Sequence, residues 1–194
     1  MINRTNFYIS IKLNLFKTEL TPKQIEGMDA ILTYWENNGF HDGRHLAYVF
    51  ATAAWETDKT MQPIEEYGKG KTRPYGRKQK YSGEKYTTPD KIYFGRGHTQ
   101  NTWFEIYEKL TKLAKKQGKD WDFLNNPELL LQMEQSVWAT FTAMGTGLYT
   151  GKKLSDYFND TKEDPINARR IINSLDKAEL IAGYYYKFLN AIIG

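Results

Sequence analysis

The sequence predicts an α+β, mostly α-helical domain with one small β-hairpin excursion. Three observations predict it. Apolar residues recur at helical spacing through most of the chain. Capping signals bracket those stretches. Between Met61 and Gly97 the helical period gives way to glycine, tyrosine, proline and lysine. That composition belongs to loops and a short, irregular hairpin over 61–97. The 194 residues suit a single domain over 1–194, with an ordinary globular balance of 40% hydrophobic and 26% charged residues.

Each element has its reason. The opening "MINRTNFYISIKLNLFKTEL" is mildly apolar, but Lys12 and Asn14 interrupt it. No small-residue cleavage site follows, so it reads as neither a signal peptide nor a membrane span. Residues 1–18 form an N-terminal extension whose packing the sequence leaves open. Thr21, Pro22 and Gln24 make a capping box for a helix carrying Ile25, Met28, Ile31, Leu32 and Trp35, stopped at Gly39. A second helix runs from about Arg44 to Glu56, with Leu46, Val49, Phe50 and Ala53 as its buried stripe. After the excursion, helices are expected over 101–118 and over 126–145, the latter capped by Asn126. Leu154 to Phe158 reads as a short turn. A helix capped by Asp164 and a closing one from Asp176 complete the chain.

Composition excludes some chemistry. There is no cysteine, hence no disulfide framework, thiolate zinc site or thiol nucleophile. His41 and His45 would share a helix face, but no further ligands accompany them. No metal or cofactor is expected. The "GKGK" and "GRG" segments lack the strand and helix context of a phosphate loop. Net charge is +4, and it is unevenly spread. Between Gly68 and Lys91, Lys69, Lys71, Arg73, Arg77, Lys78, Lys80, Lys85 and Lys91 face only Glu84 and Asp90, so that window carries +6. Such a flap suits an anionic partner or a solvated loop.

The stretch "YVFATAAWETDKTMQPIEEYG" carries the chemistry. Glu56 follows Ala53 and Val49 on the buried stripe and ends its helix. Desolvation and the negative end of the helix dipole both favour its neutral form, as a general acid requires. A continued helix would hold Glu65 roughly 13 Å away and on the wrong side. Pro63 disfavours helix at Gln62, so the chain turns before the second acid. A turn can bring two carboxyls to the roughly 6.5–9.5 Å of an inverting glycosidase. If the chain is extended there, only one of Glu65 and Glu66 faces the site. Parity does not say which.

Together with "YFGRGHTQNTWFEIY" and "NARRIINSLDKAELIAGYYYKFL", this stretch resembles glycoside hydrolase family 19, and most of all its compact phage-type endolysins. The resemblance runs from about Gly43 to Leu189. It implies a lysozyme-like, two-lobed fold and inverting hydrolysis without a cofactor. Glu56 matches the general acid, Glu65 the second carboxylate, and Thr102 a hydroxyl residue that helps hold the attacking water. Gln100 matches a substrate-binding glutamine, and Arg169 and Asn173 match polar positions lining the site. Tyr67, Trp103 and His98 are further candidates for substrate binding. Trp55 and Trp103 are also suited to packing beside the site, and His98 to a hydrogen-bonded structural role. Ile106 stands where the family usually carries Asn.

The function expected is a peptidoglycan glycan-strand hydrolase, muramidase-like, for lysis of a host bacterium, with the basic flap touching the anionic envelope. It is expected to be a monomer, made in the host cytoplasm and reaching the wall through a separate membrane pore. A chitinase of the same family is the alternative, and a non-catalytic cell-wall binding module a further one. A nucleic-acid binder lacks any recognised motif.

Overall fold

A computed structural model describes residues 1–88 and 90–194. They form two compact units, one of Met1–Gln62 with Phe141–Gly194, the other of Pro63–Thr140. Helices dominate, as the sequence predicts.

The first unit contains α1 (Arg4–Ile11), continued by a π-helical turn over Lys12–Phe16, then α2 (Pro22–Asn37) and α3 (Gly43–Glu56). The N-terminal extension packs rather than trailing free. Phe7 and Ile11 are fully buried, and α1 lies against the closing helix, α6 (Ala178–Ile193). Arg4 ties α1 to α2 through Asp29 and Glu36, each at 2.9 Å. The capping box on α2 forms as the sequence predicts, with Thr21 and Gln24 bonding reciprocally. The core of this unit is α3 against α6, where Phe50 and Phe188 stack at 4.9 Å with Phe7 beside them. Of the three consecutive tyrosines, Tyr185 enters the core and Tyr186 stays half exposed.

Two expectations here need correction. The segment after Asp164 forms a tight 3-10 turn over Asn167–Ile171, not an α-helix, and its N-cap is Ile166 rather than Asp164, which accepts from the Asn167 N–H at its start. A second hairpin, β3 (Phe158–Asn159) and β4 (Lys162–Glu163), follows the expected turn at Leu154–Asp156. Its signal was the turn chemistry of "NDT": Asn159 accepts from the Thr161 N–H and hydroxyl.

The second unit opens with β1 (Ile64–Glu65), which pairs antiparallel with β2 (Arg96–Gly97). The long connection between them is mostly turns, with one bridge at Gln79 and Lys85. Then come α4 (Phe104–Lys116) and α5 (Met133–Thr146), with the boundary between the units falling inside α5. The helix expected over 126–145 is broken. Pro127–Leu131 is a 3-10 turn, Gln132 is extended, and Asn126 makes no side-chain cap. The turn packs on β2: a Cβ at Gly97 would stand 3.1 Å from the Leu130 carbonyl oxygen. Aromatic residues fill this core. Tyr86, Tyr93, Phe104 and Tyr107 form one cluster, and Trp121, Phe123 and Trp138 another.

Candidate active site

Glu56 is placed by α3. Asp42 caps that helix, accepting from the Arg44 N–H at 2.9 Å. Leu46 to Ala54 are all buried, so the helix is fixed on every side before it reaches its last residue. The exit is fixed too. The Thr57 hydroxyl donates to the Ala53 carbonyl at 2.8 Å and accepts from the Met61 N–H at 3.1 Å. Asp58, Lys59 and Met61 all take positive φ, strained for non-glycine residues. The start of α2 clamps this turn. Gln24 donates to the Lys59 carbonyl, and Gln62 donates to that of Lys23. Gly27 permits the approach: a Cβ there would fall 1.7 Å from the Met61 carbonyl oxygen.

The Glu56 side chain is only 16% exposed, and Arg169 meets it at 2.7 Å. The Arg169 side chain is 4% exposed, and its Nε donates to the Asp176 carbonyl at 3.1 Å. A buried, charge-assisted bond of this kind fixes the carboxylate in direction as well as position. Asn173, one turn on, is exposed and donates its N–H to the Arg169 carbonyl. Thus Glu56, Arg169 and Asn173 share one unit.

The second unit holds the other candidates. Glu65 and Glu66 have separate fates. Glu66 accepts from the Tyr75 hydroxyl with both oxygens, at 2.9 and 3.1 Å, and from the Gly95 N–H at 3.1 Å. Burial, reinforced by this bond to Glu66, pushes the Tyr75 hydroxyl up to about 12. Glu65 is exposed and makes an ion pair with Lys69 at 2.8 Å. The i,i+4 spacing of Glu65 and Lys69 was a signal the sequence reading passed over.

Thr102 donates its hydroxyl to the Gln100 carbonyl at 2.8 Å, which leaves its oxygen lone pairs free to accept. The Gln100 amide donates to the carbonyls of Ile64 and Gly97, so it ties the β1–β2 pair together. Trp103 takes φ 78°, and Tyr75 and Tyr81 meet its ring edge-on at 5.0 and 5.2 Å. Tyr67 is fully exposed. His98 lies at 0% exposure with its ring nitrogen 2.7 Å from the Ser136 hydroxyl. It is therefore a core residue, not one that lines a surface, because no ligand reaches a side chain so enclosed. Ile106 is buried on α4.

The reading by residue type missed Arg96 of the "GRG" segment. It is 3% exposed, stacks 3.6 Å over the Phe94 ring, and donates to the Ile92 carbonyl and the Tyr107 hydroxyl. Arg96 thus ties β2, to which it belongs, to Tyr107 of α4. His45, one of the paired histidines, bonds the Phe158 carbonyl at 3.0 Å. Among the described residues, no group of three or more His, Cys, Asp or Glu is placed to hold a metal.

No family model and no curated protein matches this chain in sequence. Solved structures do match. A glutamate-to-glutamine mutant of chitinase C superposes with a TM-score of 0.57 at 16% identity, covering 98% of this chain and 92% of its own. A bacterial family 19 chitinase superposes with a TM-score of 0.51 at 17% identity, covering 98% and 94%. The chain therefore has the mostly helical, lysozyme-like fold of family 19 chitinases. The likeness is one of fold.

Proposed function

We propose that this chain is an inverting glycoside hydrolase that cuts the glycan strand of peptidoglycan in bacterial lysis. The observation that carries the reading is Glu56, ending a helix buried from Leu46 to Ala54 and locked by buried Arg169, on the fold of family 19 chitinases. In the reaction, Glu56 takes a proton from solvent and gives it to the glycosidic oxygen as the carbon–oxygen bond breaks. A water adds to the anomeric carbon from the opposite face, and a carboxylate takes its proton. Glu65 is the better base, because Glu66 is already committed to Tyr75 and Gly95. Thr102 is suited to accept a hydrogen bond from that water. Solvent then returns the two carboxyls to their starting states.

The basic flap supports an anionic glycan. Lys71, Arg73 and Arg77 are exposed, and peptidoglycan carries carboxylates that chitin lacks. The lysis role implies a separate membrane pore that gives access to the wall. Chitin is the second reading, favoured because both superposed structures are chitinases.

The test incubates wild type, Glu56→Gln and Glu65→Gln with purified peptidoglycan and with chitin oligomers, and identifies released ends by mass spectrometry. Cleavage of peptidoglycan, lost in both variants, is expected. Cleavage of chitin alone moves the protein to the second reading. If folded wild type cuts neither, the hydrolase reading falls and a binding role replaces it.

A further inference from the structure

Glu56 has two polar neighbours along its own helix that the reaction above does not use. Tyr48, Thr52 and Glu56 follow one another at four-residue spacing. That spacing lines them along one face of α3, about 6 Å apart per step. Tyr48 is 0% and Thr52 1% exposed. Neither hydroxyl has a hydrogen-bond partner in the protein.

A buried threonine in a helix can donate to the carbonyl four residues earlier. Thr140 does so at 2.9 Å, and Thr57, just past the end of α3, does so at 2.8 Å. Thr52 does not. Tyr48 is held in place by ring contacts to Phe158 at 5.3 Å and Tyr185 at 6.1 Å. Burial raises its hydroxyl above the ordinary tyrosine range, and Arg169 is the cation that opposes this. The carboxylates felt there are Asp164 and Glu56. The hydroxyl of Tyr48 and the guanidinium of Arg169 therefore lie in each other's field.

Valine at 52 and phenylalanine at 48 would fill the same space without burying an unbonded hydroxyl. Buried polar groups of this kind hold ordered water when several of them converge. We propose that Thr52 and Tyr48 are positioning residues. Their hydroxyls bind one internal water that bonds Arg169 and so fixes the guanidinium against Glu56. The inference rests on the hydrolase reading for its effect on rate, but not for the network itself.

Two measurements test it. In the first, Thr52→Val and Tyr48→Phe lower kcat for glycan cleavage on the order of tenfold with KM unchanged, and Thr52→Ser restores the rate. In the second, a double-mutant cycle on denaturant unfolding compares Thr52→Val in the wild-type chain and in Glu56→Gln. A network through Arg169 makes the two substitutions non-additive. Additive stability effects with an unchanged kcat overturn the proposal. If the wild type cleaves no glycan, the hydrolase reading falls alone, and the cycle still decides the network: non-additivity upholds it and additivity removes it. Should Thr52→Val not fold, Tyr48→Phe runs the same cycle.

Discussion

Glu65 and Glu66 stand side by side, and their surroundings differ. Glu66 accepts a hydrogen bond from the Tyr75 hydroxyl across both its oxygens and a second bond from the Gly95 N–H. Glu65 has solvent and Lys69. An exposed ion pair contributes about 0–1 kcal/mol. Glu65→Gln should therefore leave the unfolding midpoint within error of wild type while removing most glycan cleavage. Glu66→Ala strands the Gly95 N–H and the Tyr75 hydroxyl, at a cost of about 1–3 kcal/mol. Its activity per folded molecule should stay near wild type. Thermal unfolding beside a turnover assay separates the two, and a Glu66 variant that is stable but inactive would reverse the assignment of the base. Sequence could not make this choice, because alternation in a strand says only that neighbours diverge. The deciding partner, Tyr75, lies nine residues further on, in a stretch with no period to read. His98 was opaque for a similar reason: the Ser136 that buries it is 38 residues away. Glu56 was legible, since the apolar stripe of α3 runs straight into it.

At the scale of elements, the helices that carry local signals were legible, and those that tertiary contacts reshape were not. Thr21, Pro22 and Gln24 announce α2, and the apolar stripe of α3 ends where its period ends. The break at Gln132 is different. Pro127–Leu131 tightens where β2 lies against it, a contact between segments some 30 residues apart that no local pattern encodes. Gly27 shows how one element positions another. Gly27→Ala places a methyl against the Met61 carbonyl at 1.7 Å. The turn behind Glu56 must shift, and destabilisation of about 1–3 kcal/mol is expected, together with a fall in kcat. Calorimetry and turnover check both, and a wild-type kcat in Gly27→Ala would show that this clamp does not position Glu56. The tether of α1 to α2 gives a pH prediction. The Arg4 side-chain bond holds the Glu36 carboxyl below its ordinary value, helped by the Ile2 N–H. A depressed folded-state value stabilises the fold above the unfolded-state value of about 4.3 and loses that contribution as pH falls through the folded-state value. The stability gap between wild type and Arg4→Gln should therefore be widest near neutrality and close as pH falls below about 4. A gap that widens in acid would rule out the ion pair as its source.

For the whole molecule, charge is divided between the two units. Residues 63–140 carry 14 Lys and Arg against 10 Asp and Glu, a net +4 that equals the charge of the whole chain. The other unit is neutral by difference, with 13 of each sign. The excess sits in the connection between β1 and β2, where Lys71, Arg73 and Arg77 are exposed. Lys69 and Lys80 are already engaged, by Glu65 and by the Phe104 ring. A flap of this sign beside the Glu65 strand raises the local concentration of an anionic polymer and has no comparable hold on a neutral one. Such attraction is screened over about 10 Å at 0.1 M salt and about 3 Å at 1 M. If peptidoglycan is the substrate, its cleavage should slow several-fold between roughly 0.05 and 0.5 M salt, and the triple substitution Lys71→Gln, Arg73→Gln, Arg77→Gln should remove most of that dependence. Chitin oligomers should show neither effect in the same enzyme. The initial rate on both glycans across the salt series, for wild type and the triple variant, reads this directly. Equal salt dependence on the charged and the neutral glycan would mean that the flap selects nothing and that its charge serves solubility alone.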